Sequence, residues 1–412
     1  MITKLRKFIQ KLSQTKKYDK YFLYSQIIKT ERAKRKLTLA EMSKGICSVS
    51  YLCKFEKNDI IADESYIRAI FERVNIDFNL VGRNILKNGV ENTLKAYLAN
   101  DYEEIELIKD SIDDTIFNAQ NYIIKCFYYL INKRYSEFNE CIKALDNIKD
   151  TLLIDDVGVF LFLVTQYYMD TNQYFEASNI IKESEQLKFN VDELNWLLTE
   201  QKFKVAFHLK DYPQMFYYYN QILQNNCIGY PWIRKVFSRV KYLYADAESN
   251  FQRAFQELEK LNMKNIPEDY QNELNYWKIA IYIKGGMYLK AFDEINDYNL
   301  YYDSRFIGLI LLSAYYIGDE NYINIACDIA NEYQPDNKYP QDDIFIRFML
   351  LFLKGKYKHE YIEYLKERIL NNKNNFSHFI YYPFYLKKYT QFLKKSSRYK
   401  EAFTILYDKY VE

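Results

Sequence analysis

The chain has 412 residues, enough for more than one domain or for one extended repeat array, and its 10 Gly and 6 Pro are so few that helix is expected nearly throughout. Six Cys without C-x-x-C spacing and only three His exclude a recognisable zinc site and argue against a disulfide framework. The formal net charge of +2 is unevenly placed: residues 1–90 carry 19 Lys and Arg against 9 Asp and Glu, a net of +10, and the remainder nets −8, so a basic head that meets a polyanion precedes an acidic body.

No secretion signal is visible in the charged first residues. The longest apolar run, Phe306–Ile317, is too short to span a bilayer. These features, with thiols expected to be buried and reduced, predict a cytoplasmic protein without a membrane partner. Tyr (43) and Phe (28) are abundant, and their large apolar area suits the packing of helix on helix.

Residues 1–24 form a basic amphipathic segment. Leu5, Phe8, Ile9 and Leu12 fall at helical spacing among Lys4, Arg6, Lys7 and Lys11. Two uses fit: an arm on DNA phosphates or in a dimer, and a helix packed on the head. A helix from Ser25 follows, with Ile27 and Ile28 and then Glu31–Lys36.

The stretch Leu37–Asn58, LTLAEMSKGICSVSYLCKFEKN, reads as two short helices joined by a tight turn. Thr38 and Glu41 have the S/T-x-x-E spacing of a capping box. Gly45 supplies the positive-φ position at which such a helix stops. Cys47 or Ser48 opens the second helix, whose Val49, Leu52 and Phe55 are spaced by three, on or near one face. Asp63 or Ser65 caps a further helix with Ile67, Ile70, Phe71 and Val74 inside, and Asp77 opens a fifth. The result is a small helix-turn-helix domain over 25–88, with Lys87–Glu91 as its boundary.

From residue 89 to 412 the chain repeats. A short polar turn and an aromatic residue recur at Tyr102, Tyr135, Tyr174, Tyr212, Phe251, Tyr288, Tyr322, Tyr357 and Tyr399, at intervals of 33 to 42 residues. Ala177, Ala254, Ala291 and Ala402 each lie three residues after the aromatic, where a small side chain lets two helices approach. The expected architecture is all-α: the helix-turn-helix head followed by a right-handed α-solenoid of about nine helix pairs similar to the tetratricopeptide repeat.

Residues 27–82 resemble the Xre/Cro-type helix-turn-helix. Ser50-Tyr51-Leu52-Cys53-Lys54-Phe55-Glu56 resembles the S-Y-L-S-K-F-E run of the Rgg branch, and Ile46-Cys47-Ser48-Val49-Ser50 the I-C-x-x-S run of the PlcR branch, of the RRNPP-type peptide-pheromone-sensing regulators (Rgg, PlcR, NprR, PrgX). Leu39 stands where such heads often carry a phosphate-touching Gln, and Val49 where a base-reading Gln or Arg is common. The resemblance implies a quorum-sensing transcription regulator: a homodimer on two DNA half-sites, controlled by a short signalling peptide; three His, no G-x-S-x-G, no P-loop and no metal spacing point away from catalysis and from a cofactor.

For DNA, the candidates are Lys29, Arg32 and Lys36 beside the motif and Ser48, Val49, Ser50, Tyr51 and Lys54 on the reading helix, offering phosphate contacts and groove-facing side chains. For the peptide, residues about eight and twelve before each turn aromatic nominate Gln120, Gln166, Glu200, Lys204, Arg239 and Tyr276, with Gln201 and Glu273 nearby. Their polar ends suit the backbone of an extended peptide. A rival reading is an interaction module that sequesters a partner protein and uses the head for docking. Asp155-Asp156 and Asp342-Asp343 are adjacent carboxylates near repeat ends, where a helix N-terminus favours negative charge over any acid–base role.

Overall fold

A computed structural model describes residues 20–78, 89–112, 119–148, 152–185, 187–224, 232–261, 266–297, 300–334, 339–353, 362–366 and 380–410. Every regular element among them is an α-helix. The amphipathic run 5–12 and the turn at Tyr357 lie outside the described residues.

The head is built from α1 (Lys20–Lys34), α2 (Leu39–Ser43), α3 (Val49–Glu56) and α4 (Glu64–Arg73). Each start has a local cause. The Thr38 hydroxyl accepts from the Glu41 amide at 3.2 Å while the Glu41 carboxylate accepts from the Thr38 amide at 2.7 Å, closing the capping box. Ser48 and Asp63 cap α3 and α4 in the same way, accepting from the amides of Tyr51 and Ser65. Gly45 stands two residues past α2 at φ +72°, in the left-handed region a side chain would resist. The apolar faces meet in one core of Ile27, Ile28, Met42, Leu52, Phe55, Ile67, Ile70, Phe71 and Val74. Of the expected fifth helix, Asp77 and Phe78 are described and the rest lies outside the described residues; the Phe78 ring packs on Tyr24 and Phe71, at 5.0 and 5.9 Å.

Helix pairs follow: α5 (Gly89–Ala99) and α6 (Tyr102–Asp110), α7 (Ala119–Ile131) and α8 (Tyr135–Ile148), α9 (Ile154–Asp170) and α10 (Tyr174–Ser184), α11 (Asp192–His208) and α12 (Tyr212–Gln224). Next are α13 (Trp232–Asp246) and α14 (Phe251–Glu259), α15 (Glu268–Lys284) and α16 (Tyr288–Asp297), α17 (Ser304–Ile317) and α18 (Glu320–Glu332), α19 (Pro340–Leu353), and α20 (Tyr382–Lys395) with α21 (Tyr399–Tyr410). Gly89 is therefore the first residue of a helix and is buried.

Six of the turns share one backbone geometry. Two residues before the aromatic, Asn100, Lys133, Asn172, Lys210, Gly286 and Ser397 all take positive φ, between 55° and 76°. The amide of Asn100 donates to Tyr97 O at 3.2 Å and that of Asp101 to Ala96 O at 2.9 Å, and the same pair of bonds recurs at Lys133–Arg134, Asn172–Gln173, Lys210–Asp211 and Ser397–Arg398. These bonds satisfy the last carbonyls of the first helix and hold a left-handed residue that is not always Gly. Three residues after the aromatic, Ala177, Ala254 and Ala291 are fully buried and Ala402 is half-buried; the larger Ile105, Phe138 and Met215 are fully buried at the same position and Ile325 is 45% exposed, so neither size nor burial is fixed there.

The chain divides into two compact units: 1–205 with 220–231, and 206–219 with 232–412. In the first, α5, α7 and α9 pack in succession and α6 packs on α7; in the second, α13, α15, α17 and α19 pack in succession and α16 packs on α17. Within each of these two runs a first helix touches the next first helix, the neighbour-to-neighbour packing of a repeat protein.

Candidate functional site

In the head, α3 separates two faces. Leu52 and Phe55 are buried, while Val49 (45% exposed), Ser50 and Lys54 look outward. Val49 does not share the inner face as its spacing suggested, because three residues fall about 60° short of a turn and the shortfall accumulates. Ser48 is exposed and caps α3. Tyr51 is half-buried; its hydroxyl accepts from the Asp63 amide at 3.0 Å and its ring meets Tyr66 edge-on at 5.4 Å. Tyr51 thereby fixes α3 against the capped start of α4.

Of the neighbouring cations, Arg32 is committed to the fold. Its Nε and Nη2 donate to the two Glu56 carboxylate oxygens at 2.7 and 2.8 Å, and Nη1 donates to Leu37 O at 3.0 Å. The Glu56 bond holds the Arg32 pKa above its ordinary value against the opposing effect of burial. A fork-to-carboxylate pair of this kind fixes orientation as well as distance. It locks the inner end of α3 to α1. Lys29 is half-buried, and Lys36 is exposed at φ +56°, where α1 ends. Arg73, which sequence reasoning passed over, donates to Met42 O at 2.9 Å and Glu41 O at 3.2 Å and so caps the C-terminus of α2. Nothing in the local sequence signals it, since the partners are 31 and 32 residues away.

In the first unit, Gln166 and Gln201 are brought together. Gln201 Nε2 donates to Phe162 O at 2.9 Å and to Gln166 Oε1 at 3.2 Å; Gln166 Nε2 then donates to Asp170 Oδ1 at 2.8 Å. The direction is fixed, because a flipped Gln201 would set its oxygen against two acceptors. Lys204 pairs with buried Glu200 at 2.8 Å, and Gln120 is half-buried on α7.

In the second unit, Glu273 and Tyr276 join a cluster centred on buried Arg305. Arg305 forms a two-oxygen pair with Asp303, and its Nη1 donates to Glu273 Oε2 at 2.6 Å. Its guanidinium lies 5.0 Å from the Tyr276 ring and 4.2 Å from that of Tyr339. Burial alone would raise the Glu273 pKa, but Lys241 and Arg305 hold it below the ordinary carboxylate value. The Tyr381 hydroxyl donates to Asp342 Oδ1 at 2.7 Å, and burial pushes Asp342 up to about 7. Gly308 permits this, since a Cβ there would collide with the Tyr381 oxygen. Arg239 stands apart from this cluster, paired with Glu257 at 2.6 Å. Among the described residues no group of His, Cys, Asp and Glu could hold a metal ion, and no helix is long and apolar enough to cross a membrane.

The class of protein these features define is an all-α chain with a helix-turn-helix head and a body of stacked helix pairs. No protein-family model matches the chain. An alignment 162 positions long, covering 35% of this chain, is 28% identical to the transcriptional activator NprA of Geobacillus stearothermophilus, and it spans only 38% of that protein's length. Among solved structures, Bacillus thuringiensis PlcR in complex with the peptide PapR7 and DNA aligns over 82% of this chain and 98% of its own, at 14% identity and a TM-score of 0.31. A PrgX variant aligns over 79% of this chain and 99% of its own, at 15% identity and a TM-score of 0.21.

Proposed function

We propose that this protein is a peptide-responsive transcription regulator of the RRNPP type. Its head (25–88) binds promoter DNA, and its helix-pair array (89–412) binds a short signalling peptide and pairs two copies as a homodimer in the cytoplasm. The observation that carries the reading is the outward face of α3. Val49, Ser50 and Lys54 stand exposed on a helix whose other face is buried and whose inner end is clamped by Arg32 and Glu56. A rigid helix with a small, open, polar-to-basic outer face suits a DNA major groove. The basic head supports it, as does the sequence likeness to a transcriptional activator over part of the chain.

In this reading Val49 meets a thymine methyl, Lys54 reaches guanine or phosphate, and Lys29 and Lys36 neutralise backbone phosphate. Arg32 and Tyr51 serve by holding α3 in place. The peptide favours one arrangement of the array over another and so shifts the population of DNA-competent dimers. The test is binding to the duplex upstream of the gene as salt is varied. A Ser50→Ala, Lys54→Ala double variant is expected to lose tenfold or more in affinity, with the slope of log K on log salt shallower by about 1. Neither residue touches the head's core, so thermal stability should hold. Undiminished binding by the double variant would refute α3 as the reader. Capture of protein partners with no sequence-specific DNA binding would favour the sequestering module. For the array, calorimetry with peptides encoded by small reading frames beside the gene is the matching test.

A further inference from the structure

In the first unit, a pocket of about 380 Å³ opens where the turns of the first three helix pairs come together. Tyr97, Tyr102, Tyr135, Lys133, Gln166 and Asp170 are among the residues that line it. We propose that this pocket seats a cationic group, an ammonium or guanidinium carried by an extended peptide, with Asp170 as its counter-charge. The inference rests on the peptide reading above and names the chemistry the array selects.

Three observations converge on it. First, the Asp170 carboxylate is aimed by a directed chain of hydrogen bonds, from Gln201 to Gln166 to Asp170, anchored at its far end on the Phe162 carbonyl. Buried Gln201 is spared from contact with solvent, so the chain is held from inside the protein. Second, the nearby cations leave Asp170 unpaired. Lys204 is held by Glu200 at 2.8 Å, and Lys133, exposed on the turn, makes no ion pair with Asp170 among the described residues. Asp170 is solvent-reachable, yet the protein packed around it holds its pKa above the ordinary carboxylate value, against the opposing pull of Gln166, Lys204 and Lys133. An arriving cation would relieve that cost. Third, the walls are aromatic. A cation within about 6 Å of a tyrosine ring face is attracted by the ring quadrupole, most strongly where water is displaced. Other groups close enough to influence or be influenced by Asp170 are the Tyr135 and Tyr174 hydroxyls, both raised in pKa by burial and by the Asp170 charge. Neither is cationic, so acidification should weaken binding as Asp170 takes up a proton.

The test uses the full chain and three small probes followed by ligand-observed NMR. N-acetyl-arginine amide offers only a guanidinium, citrulline amide only an α-ammonium on an isosteric neutral side chain, and N-acetyl-citrulline amide neither. Saturable binding of one or both cationic probes, with none for the neutral one, supports the inference and says which cation the pocket takes. Asp170→Asn should weaken that binding tenfold or more, and Tyr102→Ala, which trims a half-exposed wall without touching the core, several-fold. Equal binding of the neutral probe, indifference to Asp170→Asn, or no binding by any probe would overturn it. A hexapeptide library separates this inference from the broader one. Library peptides that bind without regard to basic residues or a free N-terminus, and that ignore Asp170→Asn, sink the pocket and leave the peptide reading standing. Probes that bind where no library peptide does sink the peptide reading and leave the pocket.

Discussion

Each compact unit carries one Asp–Asp pair in the first turn of a first helix, and the two pairs are finished differently. On α9, Asp155 reaches outward. Its Oδ1 accepts from the Asn190 amide at 2.7 Å and its Oδ2 from the Asn190 side chain at 3.2 Å, while Asp156 is buried. On α19, both carboxylates are buried: Asp342 is bonded by Tyr381 and lies in the field of Arg305, and Asp343 is bonded by Tyr333 at 3.2 Å. Both helix starts satisfy the same local rule, that negative charge suits a helix N-terminus. The tertiary surroundings decide the rest. In the first unit the pair splits into a surface strap and a buried acid; in the second it becomes one wall of a closed ion cluster.

The sharpest way to break this contrast is to remove the cation that makes the second cluster tolerable. Arg305→Ala would leave Asp303 buried without its partner and Glu273 without its Nη1 bond, and would strip the cation from the Tyr276 and Tyr339 rings. A destabilisation of about 3–5 kcal/mol is expected, the scale for stranding one half of a buried ion pair. Chemical denaturation measures it. A loss below about 1 kcal/mol would mean that the cluster contributes little to the second unit.

A smaller effect separates the two buried acids from everything around them. Asp156 and Asp342 are each pushed by burial from the ordinary 3.8 up to about 7. Asp155 adds to the rise at Asp156, while Tyr381 and Arg305 oppose it at Asp342. The folded chain therefore keeps protons that the unfolded chain releases. Stability contributed by these protons is complete below about pH 4, declines as the pH rises, and is gone above about 7. Asp156→Asn and Asp342→Asn should each flatten the fall in denaturation midpoint between pH 4 and 7 and leave the slope above pH 8 unchanged. A slope that either variant leaves intact would show that its carboxyl is ionised throughout.

The contrast also shows what could be read in advance. The turn aromatics marked the first residue of the second helix at Tyr102, Tyr135, Tyr174, Tyr212, Phe251, Tyr288 and Tyr399; at all of these but Phe251 one left-handed turn residue and its two hydrogen bonds impose the same exit. Tyr322 falls two residues inside α18, where Gly318 takes the left-handed position and Asp319 the cap. Local rules likewise gave the Thr38–Glu41 box and the caps at Ser48 and Asp63. What stayed hidden was partnership over long separations. Arg32 looked like a phosphate contact until Glu56, 24 residues on, was seen to hold it, and Glu273 looked available until Arg305 closed on it. Periodicity tells which way a side chain points, but not whether another segment has already arrived there.

The smallest expected effect concerns the outward member of the first pair. Asp155 straps the turn at Asn190 to the start of α9 with two hydrogen bonds, one of them to a backbone amide that would otherwise turn to water. Because the site is partly exposed, water replaces much of what is lost, and Asp155→Ala should cost about 1 kcal/mol. Asn190→Ala removes only the side-chain bond and should cost less. Since Asp155 also raises its neighbour, Asp155→Ala should lower the Asp156 pKa and shift the upper end of the pH-dependent window downward. A double variant, Asp155→Ala with Asp156→Asn, distinguishes the strap from the charge: the strap's cost persists without Asp156, whereas the shift in the pH window disappears with it. If the whole effect of Asp155→Ala vanished in the Asp156→Asn background, Asp155 would act through charge alone, and the first pair would resemble the second more closely than its geometry indicates.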